Sequence, residues 1–73
     1  MYRFRKGDTV MVGFRGQQTT GEIRFASRNG KSLMLEVKFL GGYIGVMPVL
    51  WDDAKQEFQD LINRDKVELA IRS

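Results

Sequence analysis

The chain has 73 residues, a net charge of +3 and neither Cys nor His. That length supports one domain with a thin core, and the composition excludes disulfides and His- or Cys-based metal sites, leaving ideal local structure or oligomerisation to supplement it. Residues 1–40 hold eight Lys/Arg against three carboxylates and residues 41–73 hold four against six, an asymmetry that can mark a basic, partner-facing surface opposite an acidic one.

The opening "MYRFRKGDTV" has no apolar run behind its basic residues, so no signal peptide is expected. The segments that follow alternate with period two. In 9–14, "TVMVGF", Val10, Val12 and Phe14 share a face. In 21–28, "GEIRFASR", Ile23 and Phe25 face one way and Glu22 and Arg24 the other. Asn29-Gly30 then separates two alternating runs, the strongest short hairpin signal, and predicts a type I′ turn. In 32–39, "SLMLEVKF", Leu33, Leu35, Val37 and Phe39 point in. Gly41-Gly42 turns the chain into 43–51.

The stretch 39–51, "FLGGYIGVMPVLW", is thirteen residues without a charge. It is too short for a membrane helix, which needs about 20 apolar residues. As a strand it places Tyr43, Gly45, Met47, Val49 and Trp51 on one face and Ile44, Val46, Pro48 and Leu50 on the other. Pro48 cannot donate to a ladder, so its nitrogen must face an edge or a bulge.

Residues 52–63, "DDAKQEFQDLIN", support two readings. Ala54, Phe58, Leu61 and Ile62 lie at helical spacing behind a capping Asp52 or Asp53. The rival is a loop followed by a short strand, "EFQDL". At the end, "KVELAIR" alternates again through Val67, Leu69 and Ile71.

The expected fold is all-β: one domain, 1–73, forming a small barrel of about five to six antiparallel strands, with a short helix or 3-10 turn near 53–63 as the variant. Its core should gather Val10, Val12, Ile23, Phe25, Leu33, Leu35, Val37, Leu69 and Ile71.

"KGDTVMVGFRGQQTTGEI" resembles the opening of Src-homology-3-like small barrels of the ribosomal KOW kind, through Gly7, Asp8, Val10, Val12, Gly16, Gly21 and Ile23. The resemblance covers about the first third of the chain and implies the same barrel. A more distant likeness is to plasmid-borne type II dihydrofolate reductase, a barrel of similar length with a Gly-Asp start and a strand leading into Pro-Val, here "GVMPVLW". That family's Val-Gln-Ile-Tyr strand has no counterpart. The likeness implies an oligomeric pore enzyme.

Three functional surfaces follow. "YRFRKGD" and "EIRFASR" interleave aromatics with Arg, the chemistry by which small barrels hold single strands. This nominates Arg3, Arg5, Lys6, Arg24, Arg28, Lys31 and Lys38 as nucleic-acid contacts. The bland reading has the aromatics inside and the cations in water. The second surface is 43–51. Both its faces are apolar and a small barrel has one interior, so the outer face must meet a covering segment or a partner. Tyr43, Ile44, Met47, Leu50 and Trp51 are its candidate interface residues, toward a second copy or another protein. Phe58, Leu61 and Ile62 are the candidate cover. The third is the pore-enzyme reading, which would need a site shared between chains.

"RNGKS" ends like a phosphate loop, but that motif needs Gly where Phe25 stands. Asp52, Asp53, Glu57 and Asp60 have no EF-hand spacing and read as turn and capping residues. No catalytic group, metal or cofactor is nominated. The chain is expected to be a non-enzymatic, cytoplasmic binding module with no membrane partner.

Overall fold

The computed structural model describes residues 4–39 and 42–72. Arg3, and the Gly41 half of the expected Gly41-Gly42 turn, lie outside the described residues. The architecture is all-β, as expected from the alternation. Six strands run in chain order: β1 (Thr9–Phe14), β2 (Gln17–Ala26), β3 (Ser32–Lys38), β4 (Ile44–Asp52), β5 (Glu57–Asp60) and β6 (Lys66–Ile71). Each pairs antiparallel with the next, and β6 returns to β1 to close the barrel.

Alternation fills the interior. Val10, Val12, Ile23, Leu33, Leu35, Val37, Val49 and Val67 are essentially inaccessible to water, and Met47 and Phe58 are buried with them. The cross-strand pair Ile23 and Leu35, the pair Leu35 and Met47, and the pair Leu33 and Val49 show how one inward residue per rung meets its neighbour. Phe4 also belongs to this core: it is buried and meets Phe58 edge-on, with ring centroids 5.8 Å apart. No periodicity pointed to it, because it precedes the first strand. Its segment is tied to β2 instead, Gly7 N donating to Ile23 O at 2.8 Å and Ile23 N to Asp8 O at 2.9 Å.

Two expected core residues lie elsewhere. Phe25 is 53% exposed because the β2–β3 register shifts between Ile23 and Phe25. Ile23 opposes Leu35 while Phe25 opposes Met34, so Arg24 is the extra residue of a β-bulge. A one-residue insertion exchanges faces, and Phe25 emerges on the outside. Ile71 is 47% exposed at the last position of β6. There β6 has lost its neighbour on one side, since β5 pairs only with Val67 and Lys66. Leu69, above it, is partly buried against the core.

The turns also depart from the sequence reading. Asn29-Gly30 does not form a type I′ turn; of the two, only Gly30 has positive φ. The connection is the five-residue loop between Ala26 and Ser32, in which Gly30 N donates to Ser27 O. Asn29 Oδ1 accepts from Lys31 N and from Ser27 Oγ, and Ser27 Oγ accepts from Ser32 N. Side-chain oxygens thus satisfy loop donors and favour the longer turn. The tight hairpin is at Arg15-Gly16, where both central residues have positive φ and Phe14 pairs with Gln17. This two-residue turn starts β2 at Gln17, four residues before the expected boundary.

Between β4 and β5 the loop-and-strand reading holds and the helix does not form. Asp52 Oδ1 accepts from the amides of Ala54 and Lys55, capping a turn rather than a helix. Phe58 enters the barrel, whereas Leu61 and Ile62 are exposed. These residues therefore do not blanket the outer face of β4. Pro48 behaves as expected. Its carbonyl accepts from Leu61 N, and N and O of one strand residue point the same way. Its nitrogen therefore faces the end of β5, where the ladder stops.

The β5–β6 turn is organised by Asp60, a buried carboxylate. Oδ1 accepts from Asp65 N at 2.7 Å and Oδ2 from Asn63 N at 2.9 Å.

Two substitutions test this packing. Leu35→Ala should cost about 2–5 kcal/mol by opening a cavity at the centre of the barrel, read as a lower denaturant midpoint at unchanged slope. Asp60→Ala should cost about 1–3 kcal/mol, because two amides lose their acceptor; a midpoint equal to that of the parent would remove the turn from the account.

Candidate nucleic-acid interface

The described members of the nominated basic set fall into three environments. Arg5, Lys6 and Arg28 converge on one groove, of about 260 Å³, whose other walls are Phe4, Ala26, Ser27 and Gly30. The cause is local. The segment before β1 folds back along β2, with Asp8 N donating to Arg5 O and Asp8 Oδ2 accepting from Arg5 N. The β2–β3 loop then brings Arg28 alongside. Among the described residues no carboxylate lines the groove. Arg5, Lys6 and Arg28 make no ion pair among the described residues, and all three are exposed.

Arg24 and Lys31 are engaged differently. The Arg24 guanidinium lies 2.7 Å from Glu36 and 3.4 Å from Glu22. The hydrogen bond to Glu36, helped by the two carboxylate charges, raises its pKa, and that same bond holds the Glu36 carboxyl below its ordinary range. Lys31 Nζ is 2.8 Å from Asp53, which also accepts from the Trp51 indole at 3.0 Å. Lys38 lies apart from the groove, on a cavity of about 370 Å³ at the barrel mouth with Phe14, Gln18 and Phe39. Arg15, which was not nominated, pairs with Asp65 at 2.8 Å and lies over the Phe14 ring.

The bulge at Arg24 turns an aromatic outward on the strand that leads into the groove. Phe25 stands on the outer face immediately before the groove residues Ala26, Ser27 and Arg28. The bland reading of "EIRFASR", aromatic inside and Arg in water, fails at this position. It holds at Phe4, which is inside while Arg5 and Lys6 are exposed.

The nominated interface set divides as strand parity dictates. Met47 is buried and Trp51 is half-buried, edge-on to Phe58 at 4.9 Å. Both belong to the barrel. Ile44 and Leu50 lie on the outer face and are exposed. Tyr43 has inward parity but sits at the mouth, where it is 72% exposed. Gly45 provides no approach for another backbone, because the Phe39 ring occupies that space: a Cβ there would come within 2.7 Å of it.

The acidic residues have structural partners. Asp52 and Asp60 cap turns, Asp53 holds Lys31 and Trp51, and Glu57 accepts from Gln59 at 3.1 Å. No helix of the described residues is long and apolar enough to cross a membrane.

Comparison with known proteins finds no family model, no curated protein and no solved structure that matches the chain. The six-strand closed barrel is compatible with a Src-homology-3-like fold, and function is argued from the surface alone.

The hydrogen bond from Lys31, with a smaller contribution from the Trp51 indole, holds the Asp53 carboxyl below its ordinary value. The stabilisation is complete above the ordinary Asp range and is lost as pH falls through the lowered value. Trp51 is the one tryptophan, so its emission should report this titration with a midpoint below that of a free aspartate. Lys31→Met should move the midpoint up; an unmoved midpoint would exclude Lys31 as the cause.

Proposed function

We propose that this barrel is a non-enzymatic, Src-homology-3-like binding module for single-stranded nucleic acid, working at the groove of Arg5, Lys6 and Arg28 and using the exposed Phe25 of β2 as a stacking ring. The observation that supports it is the convergence of Arg5, Lys6 and Arg28 on one groove without an ion pair among the described residues; the bulge at Arg24 also exposes Phe25 on the strand that leads into that groove. Phosphates are held by compact positive charge in a place where no carboxylate competes. A base stacks on an exposed ring, and an aromatic platform requires unpaired bases. A duplex keeps its bases stacked on one another and offers only its backbone to such a site, so the combination favours a single strand. Arg24 contributes less to phosphate binding than its position suggests, since Glu22 and Glu36 already neutralise it.

The experiment is a titration of a labelled oligonucleotide, single- and double-stranded, followed by anisotropy at several salt concentrations. Three phosphate contacts should give a slope of log K on log salt of about −2 for the single strand, from roughly −0.7 per contact. Arg28→Ala should shrink the slope by about one such step. Phe25→Ala should weaken binding about ten- to hundredfold and leave the slope unchanged, since stacking is worth about 1–3 kcal/mol. Absence of binding to either form at low salt would end the nucleic-acid reading, and equal binding to duplex with no effect of Phe25→Ala would remove the stacking role.

A further inference from the structure

The outer face of β4 carries Ile44, Val46, Pro48 and Leu50. Register extends this face sideways. Met34 of β3 is opposite Pro48, and Leu61, just past β5, donates its amide to the Pro48 carbonyl. Met34, Ile44, Val46, Leu50 and Leu61 are each between 39% and 62% exposed. Two charges stand at its border: Glu36, opposite Val46, is bonded to Arg24, and Lys38, opposite Ile44 at the end of the strand, makes no ion pair among the described residues.

We infer that this face is the contact between two copies of the chain. Its apolar area is on the order of 500 Å², at the upper end of the about 300–600 Å² of the largest such patch on an ordinary monomer. With a polar rim it approaches the about 800 Å² that each partner of a stable dimer contributes. A face with so little net charge offers no pattern for an oppositely charged partner. Laid on its own copy about a two-fold axis, such a face brings apolar side chains against apolar side chains with no like charges opposed at its centre. The contact is made by side chains. β4 is paired with β3 from Ile44 to Leu50 and with β5 from Val49 to Asp52, and Pro48 has no N–H with which to extend a ladder along the edge beyond β5. The seam therefore lies flat on the barrel wall, centred on Val46, Pro48 and Leu50, leaving Tyr43, Met47 and Trp51 out of it.

The test is sedimentation equilibrium of the whole chain, free of nucleic acid, from sub-micromolar to hundred-micromolar concentration. The parent should move from monomer to dimer mass within that range and stop there. Val46→Asp and Leu61→Glu, two exposed positions, should each weaken association at least tenfold while circular dichroism and melting temperature stay at parental values. Tyr43→Asp, at the mouth and off the face, should associate as the parent does. A parent that stays monomeric throughout would overturn the inference and assign the face to a different partner. So would a dimer unaffected by both Val46→Asp and Leu61→Glu. Because no oligonucleotide is present, either outcome is independent of the nucleic-acid reading.

Discussion

A barrel of six short strands encloses room for a single set of side chains, and this limit governs the rest of the molecule. Every rung contributes one inward residue, and the barrel wall sends the next one out. For most strands the alternation of the sequence meets that demand directly, with Val or Leu inside and a polar residue in water. β4 cannot, because it is apolar on both faces. Met47 and Val49 take the interior, and Ile44, Val46 and Leu50 are left on the wall. The apolar face is thus a consequence of closure: the same sequence in a two-layer sandwich could have been covered by a second sheet.

The bulge at Arg24 changes the outcome of that limit at one point. By adding one residue to β2 it releases Phe25 from the interior and turns it out into water. The same insertion brings Arg24 within reach of both Glu22 and Glu36, which oppose each other across β2 and β3. Two like charges directly across a ladder repel, and the guanidinium between them offsets that repulsion. One irregular residue therefore positions an aromatic and balances an acidic pair. Ion pairing also redistributes the charge of the N-terminal half. Arg15, Arg24 and Lys31 face carboxylates, so its unbalanced positive charge is concentrated on fewer sites, with Arg5, Lys6 and Arg28 together at one of them.

Much of the fold was legible because period-two alternation is strong in β1, β3 and β6, and the register of β3 on β4 follows from it. What was not legible depends on interactions outside the pattern. Asn29-Gly30 is the better tight-turn sequence, yet the tight turn forms at Arg15-Gly16, where Asp65 and the Phe14 ring hold the Arg15 side chain. The bulge left no mark on the alternation of "EIRFAS", which reads as a regular strand until β3 imposes its register. Phe4 has no neighbours in sequence that mark it as core; it packs against Phe58 of the distant β5. Of the seven nominated cations, the three that share a groove were indistinguishable by composition from Arg24 and Lys31. Only the fold decides which of them meet a carboxylate. For 43–51 the two-sided apolar character was plain, whereas which side faces out followed from closure.

The β5–β6 seam is the shortest in the barrel, two paired positions against five between β1 and β6, and it is backed by the Phe4 ring. Opening is cheapest where few ladder bonds must break. Amide exchange should therefore not be uniform around the wall. β5 and the segment around Phe4 are expected to exchange through partial opening, and the more extensively paired β2–β3–β4 sheet only when the whole barrel unfolds. Because Arg5 and Lys6 follow Phe4 directly, that opening displaces two of the groove's three cations, and anything bound to them holds the barrel's weakest seam shut.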